Sequence, residues 1–434
     1  MREMKDSGIA WIGAMPRAWK MNTIAQIFLQ VKCKNTGLQE KNLLSLSYGK
    51  VKRKSIDTVE GLLPESFDGY NIIEKDDIVL RLTDLQNDHT SLRVGLAEER
   101  GIITSAYLTI RNRSNFCPKY LYYYLHSFDI AKGFYGMGAG VRQGLNWDGV
   151  KWLKILAPSV PEQERIAAFL DAECAEIDAV LEKTRASIEE YKKLKQAVIT
   201  QAVTKGIRGD RPMKDSGIEW IGEIPAEWEI RKIFRAINKV GDIDHYMPDS
   251  VDDGIPYLMT GDLQEKLSDV NLKRCKKVSF QDYEMLSSKI RVSKGDVIFA
   301  RYATIGTVCF VDTEDNILVS YACLIIKPNS SLLYGEFLFY YLKSTAFLEE
   351  IKQYIKANTQ ANVGLDSVSK AKIALPSVHE QQKIVEYLRD KCKKIDALIA
   401  KKQQYLTEIE NYKKSLIYEY VTGKKEAKTS VLAD

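Results

Sequence analysis

The chain has 434 residues, of which 45% are hydrophobic and 28% are charged, and its formal net charge is +5. This balance is typical of a globular protein that buries several cores, and so small a positive charge does not by itself indicate a polyanion partner. No apolar run approaches the roughly 18–20 residues of a membrane span and the N-terminus lacks a secretory pattern, so we expect a cytoplasmic protein without membrane contact.

Sulfur and imidazole groups form no recognisable site in the sequence. The seven cysteines are scattered, odd in number and free of any C-x-x-C pair, which argues against both a disulfide framework and a zinc site. The four histidines, His89, His126, His245 and His379, are equally dispersed. The sequence therefore predicts no metal centre.

A short signature occurs twice. MKDSGIAWIGAMPRAW at residues 4–19 matches MKDSGIEWIGEIPAEW at residues 213–228 in 11 of 16 positions. Such an internal repeat decides the architecture of the whole chain. We interpret its tryptophans as residues that pin each chain entry to neighbouring elements, and not as functional groups.

A second block is repeated further along the chain. Residues 157–206 match residues 375–424, with Pro158 aligned to Pro376. The stretches between the repeated blocks share only short anchors, such as KDDIVLRL and KGDVIFARY. Two divergent regions in a constant frame suggest one task performed on two different targets. We predict five segments: a first variable domain with its signature at 1–157, a first helix at 158–206, a second variable domain with its signature at 207–375, a second helix at 376–425 and a C-terminal tail at 426–434.

Each repeated block predicts one long helix with apolar residues in a 4-3 heptad spacing, the pattern of a coiled-coil seam. Pro161 suits a first helical turn, and Gly206 and Gly423 suit the helix ends. The seam residues are Ile166, Leu170, Ile177, Leu181, Ile188, Tyr191 and Val198 in the first helix and Ile384, Leu388, Ile395, Ile399, Leu406, Ile409 and Leu416 in the second.

One such helix cannot bury its apolar stripe alone, so we expect the two helices to pair within the molecule. If an approximate two-fold axis relates the tandem copies, the helices run antiparallel and the variable domains lie at opposite ends. The alternative is that each helix packs on its own domain or pairs with a second chain.

The variable regions read as mixed α and β structure. Runs rich in β-branched and aromatic residues, among them DIVLRL, SAYLTIRN, DVIFARY, IGTVCFV and ILVSYACLIIKP, predict strands. KYLYYYLHSF and GEFLFYYLKSTAFLEEI predict buried helices, which makes their tyrosines core residues. The predicted fold class is α+β: two mixed α/β domains in a tandem pseudo-two-fold repeat, joined by two long helices that form an antiparallel coiled coil.

Polar loops and basic residues in these regions are candidates for DNA contact. Segments 135–150 and 355–368 are rich in Gly, Asn and Gln, and loops on a rigid scaffold often carry binding residues. Asn and Gln can pair with adenine in the major groove, and Arg with guanine. Arg81 and Arg301 each follow a strand of the same form. The candidates are Lys52, Arg53, Lys54, Arg81, Arg142, Gln143 and Asn146 in the first region and Lys273, Arg274, Arg301, Tyr302, Asn358, Gln360 and Asn362 in the second.

Structural alternatives apply to these residues. The basic clusters, which also include Arg93, Arg100 and residues 110–113, could be solvated surfaces, and Arg81 or Arg301 could pair with a local carboxylate. The repeated Glu-Gln at each helix entry, at 162–163 and 380–381, could cap the first turn and not bind a partner. The sequence has no methyltransferase N/D-P-P-Y/F block, no F-x-G-x-G cofactor loop, no Walker phosphate loop and no nuclease metal motif. FYGMGAG resembles a nucleotide loop only by its glycine count.

The doubled MKDSGIxWIGxxPxxW signature, the doubled PSVxEQxxI helix entry and the two unlike regions between them resemble the specificity subunits of type I restriction-modification systems (the HsdS family) across essentially the whole chain. The resemblance implies that each variable region is a target recognition domain for one half of a split double-stranded DNA sequence. It further implies an antiparallel helical spacer that docks two methyltransferase subunits, which would bind S-adenosylmethionine; this chain itself would hold no cofactor and perform no catalysis. Whether a restriction/translocase subunit joins the complex stays open.

For that docking and coiled-coil role the candidate residues are Gln163, Ile166, Leu170, Ile177, Leu181, Ile188, Gln381, Ile384, Leu388, Ile395, Ile399 and Leu406. Two other interpretations compete with DNA recognition within an enzyme complex. One is a coiled-coil scaffold that holds proteins, and the other is a DNA-binding regulator that recruits no enzyme.

Overall fold

The structure is a computed structural model that describes residues 2–55, 66–88, 90–137, 144–302, 304–354 and 363–427. The chain forms two compact units. The first comprises Met1–Arg185 and Gln404–Asp434, and the second comprises Ala186–Gln403. Each unit mixes helices with short strands, which confirms the predicted mixture of α and β structure. The units divide each long helix between them, whereas the predicted segments divide the chain linearly.

The first unit contains twelve described strands and the shorter helices of the first variable region. The strands are β1 (Met4–Asp6), β2 (Ala14–Pro16), β3 (Lys20–Thr23), β4 (Phe28–Gln30), β5 (Leu44–Ser47), β6 (Lys50–Arg53), β7 (Asn71–Ile73), β8 (Ile78–Leu80), β9 (Val94–Leu96), β10 (Gly101–Ile103), β11 (Leu108–Asn112) and β12 (Lys154–Ala157). The helices are α1 (Ile24–Ile27), α2 (Pro118–Ile130) and α3 (Trp147–Val150), followed by the long α4 (Val160–Lys205).

An antiparallel sheet of order β4-β11-β8-β9 lies at the centre of the first unit. Both faces of β8 are buried. Ile78 and Leu80 belong to the core that includes α2, whereas Val79 belongs to a smaller core with Leu44 and Leu46 of β5. A strand covered on both faces is expected to be apolar at every position, which explains the unbroken run Ile-Val-Leu.

The second unit holds the remaining described elements. Its strands are β13 (Met213–Asp215), β14 (Glu223–Pro225), β15 (Glu229–Lys232), β16 (Ile237–Gly241), β17 (Ile255–Leu258), β18 (Lys276–Val278), β19 (Val297–Ala300), β20 (Val308–Phe310), β21 (Leu318–Val319), β22 (Cys323–Pro328) and β23 (Lys372–Leu375). Its helices are α5 (Phe280–Ser287), α6 (Gly335–Lys343), α7 (Thr345–Lys352), α8 (Leu365–Lys370) and the start of the long α9 (Val378–Val421), with 3₁₀ turns at Ile233–Arg235 and Leu267–Asp269.

The central sheet of the second unit has the order β16-β22-β19-β20 and is also antiparallel. Two predicted elements are divided. The run at 317–328 forms β21 and β22, and β21 pairs in parallel with β17 in a separate sheet. The helix predicted at 335–351 breaks at Ser344, whose Oγ accepts a hydrogen bond from Phe347 N at 3.2 Å and so caps α7.

The signature of the first unit fastens the start of α4 to the end of α9. Trp19 is buried, and its Nε1 donates to Glu162 Oε2 at 3.1 Å. The Arg2 guanidinium lies over the Trp19 ring at 5.5 Å and pairs with Glu162. On the other side, Gly423 packs so closely that an added Cβ would lie 2.8 Å from the Trp19 ring. We call Arg2, Trp19 and Glu162, with Gly423, the first clasp.

The signature of the second unit repeats this construction. Trp228 Nε1 donates to Glu380 Oε2 at 3.0 Å, and Arg211 Nη1 lies 2.5 Å from Glu380 Oε1. Gly206, at the end of α4, packs against Trp228 and has a φ of +74°, which favours glycine. These four residues form the second clasp, which joins the start of α9 to the end of α4. The predicted pinning role of Trp19 and Trp228 is thus confirmed.

The long helices pair side by side within each unit. In the first unit, Lys413 Nζ lies 2.6 Å from Asp178 Oδ1 and Arg185 Nη2 lies 2.6 Å from Glu410 Oε1. Residue numbers rise along one helix while they fall along the other, so the paired segments are antiparallel. In the second unit Lys195 bonds Asp396 at 2.8 Å.

The predicted seam is only partly a helix-to-helix contact. Ile166 and Leu170 lie in the same core as the sheet and α2 of the first unit, and Ile384 and Leu388 lie in the corresponding core of the second. Each helix therefore packs on its own domain near its start, which was the stated alternative, and pairs with the other helix further on. Ile399 and Leu406 are only half-buried.

Gln163 and Gln381 require a correction, because the structure places both in the interior at 0% exposure. Gln163 Oε1 accepts from Cys117 N at 2.9 Å and its Nε2 donates to Pro158 O at 2.9 Å. Gln381 accepts from Tyr334 N and donates to Leu332 O and Pro376 O. These amides tie each helix entry to the backbone of its own unit and present no surface to a partner subunit.

We predict that His126 makes the first unit sensitive to mild acid. The side chain is buried on α2, and burial, aided by Lys413, lowers its pKa from 6.5 to about 4. Below about pH 6.5 the unfolded chain binds a proton at this histidine that the folded chain does not bind, so the unfolding free energy decreases as the pH is lowered. The unfolding free energy of wild type should decrease between pH 7 and pH 5 by about 2 kcal/mol more than that of His126→Gln. Denaturant titrations at the two pH values measure this difference.

Asp129 opposes this effect, because burial raises its pKa to about 6 and its protonation below that pH favours the folded state. The comparison with His126→Gln isolates the histidine, since Asp129 is common to both proteins. Equal pH dependence of wild type and His126→Gln would contradict the prediction.

Candidate nucleic-acid interface

In the first unit the structure brings a strand end and a polar loop together. Arg81 follows β8, its side chain is 33% exposed, and its Nη2 lies 3.5 Å from Asp88 Oδ2. Leu145 N, just after the Gly-rich stretch, donates to Leu82 O at 2.9 Å. The segment predicted to bind is thus anchored beside Arg81. Arg142 and Gln143 themselves lie outside the described residues.

The second unit uses the same construction. Val363 N donates to Arg301 O at 3.1 Å, and residue 363 aligns with residue 145 at the 218-residue offset of the repeated block. The strand end after β19 is therefore joined to the second polar segment. Asn358, Gln360 and Asn362 lie outside the described part of the chain.

Arg301 differs from Arg81, because its side chain is only 10% exposed. Nη1 lies 2.9 Å from Asp242 Oδ2, while Nη2 lies 3.3 Å from Tyr302 Oη and 3.4 Å from His245 Nε2. The guanidinium also stacks over the Tyr302 ring at 4.9 Å. The prediction of a base-reading Arg301 is therefore corrected: this is the local ion pair of the alternative interpretation, and it fixes the strand end from inside.

Asn146 also has a structural role. It is the N-cap of α3, where its Oδ1 accepts from Gly149 N at 3.1 Å. The side chain is at the surface, so capping does not prevent contact with a ligand, but the geometry accounts for the residue without one.

The basic candidates are mostly at the surface. Lys52 is exposed on the β5–β6 ribbon, whereas Arg53 on the same ribbon pairs with Glu99, its Nε lying 2.6 Å from Oε1. This pairing lowers the pKa of the Glu99 carboxyl. Lys54 is half-buried, and its backbone N–H donates to Leu43 O at 2.8 Å. Lys273 and Arg274 are exposed after the second 3₁₀ turn. Exposed cations of this kind suit phosphate contacts.

The pKa shifts near the site are explained by burial, hydrogen bonding and ion pairing. Asp88 has a pKa well below its usual range because it accepts hydrogen bonds from Ser91, whereas Asp129 and His126 are shifted mainly by burial. Among the described residues, no group of three or more His, Cys, Asp or Glu side chains could hold a metal ion. Within the same residues, no helix has both the length and the apolar character that crossing a bilayer requires.

Comparisons with known proteins agree on one family. Residues 225–411 match the family described as the type I restriction modification DNA specificity domain. Over 454 aligned residues the chain is 25% identical to a Methanocaldococcus jannaschii protein assigned as the MjaX specificity subunit of a type I restriction enzyme, covering 96% of each chain. It is 23% identical over 273 residues to the EcoBI specificity subunit of Escherichia coli, covering 61% of this chain and 57% of that one. The matched family model and the curated relatives together support an HsdS-family protein, the family of type I specificity subunits.

A solved structure supports the fold of this chain. A chain from a study of complex assembly and conformational transition in a type I restriction-modification system superimposes with a TM-score of 0.68. It covers 95% of this chain and 99% of that chain at 16% identity. At that identity the likeness establishes the fold alone.

Several residues that shape the candidate interface have no clear sequence signal. Asp242 lies 59 residues before Arg301, and nothing in the spacing predicts their ion pair. His245, whose ring stacks on Tyr321 at 4.4 Å, appeared only as one of four dispersed histidines. Arg93 belonged to a predicted basic cluster but is fully buried. A hydrogen-bond or ion-pair partner from another strand can be identified only when the pairing of the strands is known.

Proposed function

We propose that this specificity subunit is the DNA-recognition component of a type I restriction-modification complex, with each variable domain reading one half of a bipartite, asymmetric target. The observation that carries the proposal is the duplicated site. In each unit a polar segment is anchored by one backbone hydrogen bond at the end of a central strand, Leu145 to Leu82 in one and Val363 to Arg301 in the other. The scaffold is repeated while the residues it presents differ, as expected for two readers of different sequences.

The long helices would set the gap between the two half-sites. α4 has 46 residues and α9 has 44, so each helix extends about 65–70 Å at 1.5 Å per residue. The clasps hold the helix ends through residues outside the variable regions. A change of variable domain would then alter the half-site without changing the gap.

The same helices would dock two methyltransferase subunits. Outside the seam, Val180 and Leu398 occupy aligned positions and are 39% and 43% exposed. Leu194 and Tyr412 form a second aligned pair, 48% and 54% exposed. Apolar side chains that are exposed at equivalent places in both repeats suit two copies of one partner.

Catalysis in this scheme belongs to the partners. The subunit would supply Lys52, Lys273 and Arg274 to the phosphate backbone and polar loop side chains to the bases, while methyl transfer from S-adenosylmethionine would occur on the methyltransferase subunits. A restriction/translocase subunit could join through the same complex.

Duplicating one variable region tests this proposal. A chain in which residues 229–374 are replaced by a copy of residues 20–156 is expected to methylate a symmetric target made of two inverted copies of one half-site. The wild-type chain should methylate an asymmetric bipartite target. Both targets can be read by mapping adenine methylation in cells that co-express the methyltransferase.

The reciprocal duplication, with residues 229–374 in both positions, is the matched control and should give the other half-site twice. A continuous target, or one unchanged by either duplication, would refute the proposal. Gel shifts without methyltransferase separate the competing interpretations, since a scaffold would not retard DNA and a stand-alone regulator would bind the full target unaided.

A further inference from the structure

The connection from β8 to β9 is longer than its counterpart in the second unit. It comprises thirteen residues, 81–93, whereas the connection from β19 to β20 comprises seven, 301–307. The longer loop belongs to one variable domain only, and it begins at Arg81. It is therefore specific to the first domain and not part of the shared scaffold.

A buried arginine organises this loop. Arg93 is 0% exposed, and its guanidinium donates to backbone carbonyls of the loop. Nη1 lies 3.1 Å from Arg81 O and 2.8 Å from Thr83 O, and Nη2 lies 3.3 Å from Asp84 O and 2.5 Å from Asp88 O. Such carbonyls would otherwise be satisfied by a strand or a helix.

Two further contacts close the network. Arg93 Nε donates to Tyr135 Oη at 3.0 Å, and the same hydroxyl donates to Asp88 O at 3.1 Å. Leu82 and Leu85 are buried in the main core of the unit. The loop is thus fixed at its start, its middle and its end, and it leads with Leu82 O to the polar segment at Leu145.

The outward side of the loop carries polar side chains, among which Gln86 and Asn87 are exposed. The Asn87 side chain donates to Asp84 within the loop at 2.8 Å, whereas Gln86 is an exposed amide on the same loop. A Gln amide can donate to and accept from adenine at the same time in the major groove.

We propose that the β8–β9 loop is a preformed reading element of the first domain, in which Arg93 is the positioning residue and Gln86 contacts a base. This rests on the proposed function, since it names how one half-site is read. Rigid presentation matters because ordering a loop on binding costs conformational free energy. Arg93 supplies that order before DNA arrives.

The test uses Gln86→Ala and Arg93→Lys in the full chain co-expressed with methyltransferase, with the methylated target mapped for each. Gln86→Ala should reduce discrimination about tenfold at one base of the first half-site. Arg93→Lys should relax that base and a second one near Arg81, because a single ammonium cannot serve four carbonyls at once. The second half-site should stay unchanged in both variants, and this would not hold for general destabilisation.

Arg100→Lys is the matched control, because Arg100 lies in the same domain, is half-exposed and pairs with Glu40 and Glu74 away from the loop. It should leave the target unaltered. If Arg93→Lys does not yield folded protein, Tyr135→Phe removes the hydroxyl that both Arg93 and Asp88 use and should relax the same base as Gln86→Ala.

An unchanged first half-site in Gln86→Ala, or a positioning variant that alters both half-sites equally, would overturn the inference. The target methylated with the wild-type chain distinguishes failure of this inference from failure of the proposed function. If the wild-type target is bipartite and the variants do not change it, the inference alone is wrong; if the wild-type target is not bipartite, the proposed function is wrong.

Discussion

Replacing Ile177 or Ile395 with Asp should cost about 3 kcal/mol or more of unfolding free energy and release the methyltransferase from the subunit. Ile177 is 9% exposed and Ile395 is 7% exposed, so each new carboxylate would have to ionise without a partner inside the helix contact or remain protonated against its usual pKa. Either outcome separates the paired helices on which the proposed docking depends. Denaturant titration and co-purification with the methyltransferase measure the two effects.

Val180→Asp and Leu398→Asp form the matched controls, because each lies three residues further along the same helix as the seam residue but is exposed. Both substitutions should change the unfolding free energy by about 0.5 kcal/mol or less. If these positions contact the methyltransferase, co-purification should nevertheless fall. Loss of the partner from the seam variants alone would place docking elsewhere, and seam variants that keep both stability and partner would refute the helix pairing.

Arg301→Ala should destabilise the second unit by about 3 kcal/mol, because it leaves Asp242 buried without its ion partner. The Asp242 side chain is 11% exposed, and Lys289, 3.7 Å from its other oxygen, offsets only part of the lost interaction. The end of β19 would loosen, and the polar segment anchored through Arg301 O with it. We therefore expect the second half-site of the methylated target to become degenerate while the first is unchanged.

Arg81→Ala should behave differently, although both arginines follow a central strand. Its contact with Asp88 is 3.5 Å long and one-third exposed, so its loss should cost about 1 kcal/mol or less of stability. If Arg81 reads a base, discrimination at one position of the first half-site should fall by about 1–3 kcal/mol.

The double variant Arg301→Ala with Asp242→Ala serves as the control for the Arg301 prediction, since removing both partners should restore stability without restoring the second half-site. Stable protein with an unchanged target from Arg301→Ala would contradict the structural role given to this residue.

The sequence predicted best what depends on periodicity and repetition. The heptad pattern located both long helices to within a few residues, and the doubled signature led to the clasps through Trp19 and Trp228. Apolar runs located the central strands because strands covered on both faces lack polar positions. These patterns lie within short stretches of the chain, so they can be recognised in a single amino-acid sequence.

The sequence could not indicate which polar residues lie inside. Glutamine and arginine are residue types usually found at the surface. Three of them, Gln163, Arg93 and Arg301, are nevertheless buried, because their hydrogen-bond partners come from elements that are remote in sequence. Burial of a long polar side chain depends on whether neighbouring strands supply carbonyls or a carboxylate, and residue spacing does not encode that. The structure therefore joins each strand end to its polar segment, whereas it places the Arg301 side chain inside the protein.

The way the units divide the chain also bears on the order in which the protein can fold during synthesis. The second unit is continuous from Ala186 to Gln403, whereas the first needs residues from Gln404 onward to complete its core through Leu416, Ile417 and Val421. Contacts such as that of Tyr418 Oη with Ile12 O span 406 residues and can form only after nearly the whole chain has left the ribosome. The domain translated first would thus be the last to close, exposing apolar surface while it waits.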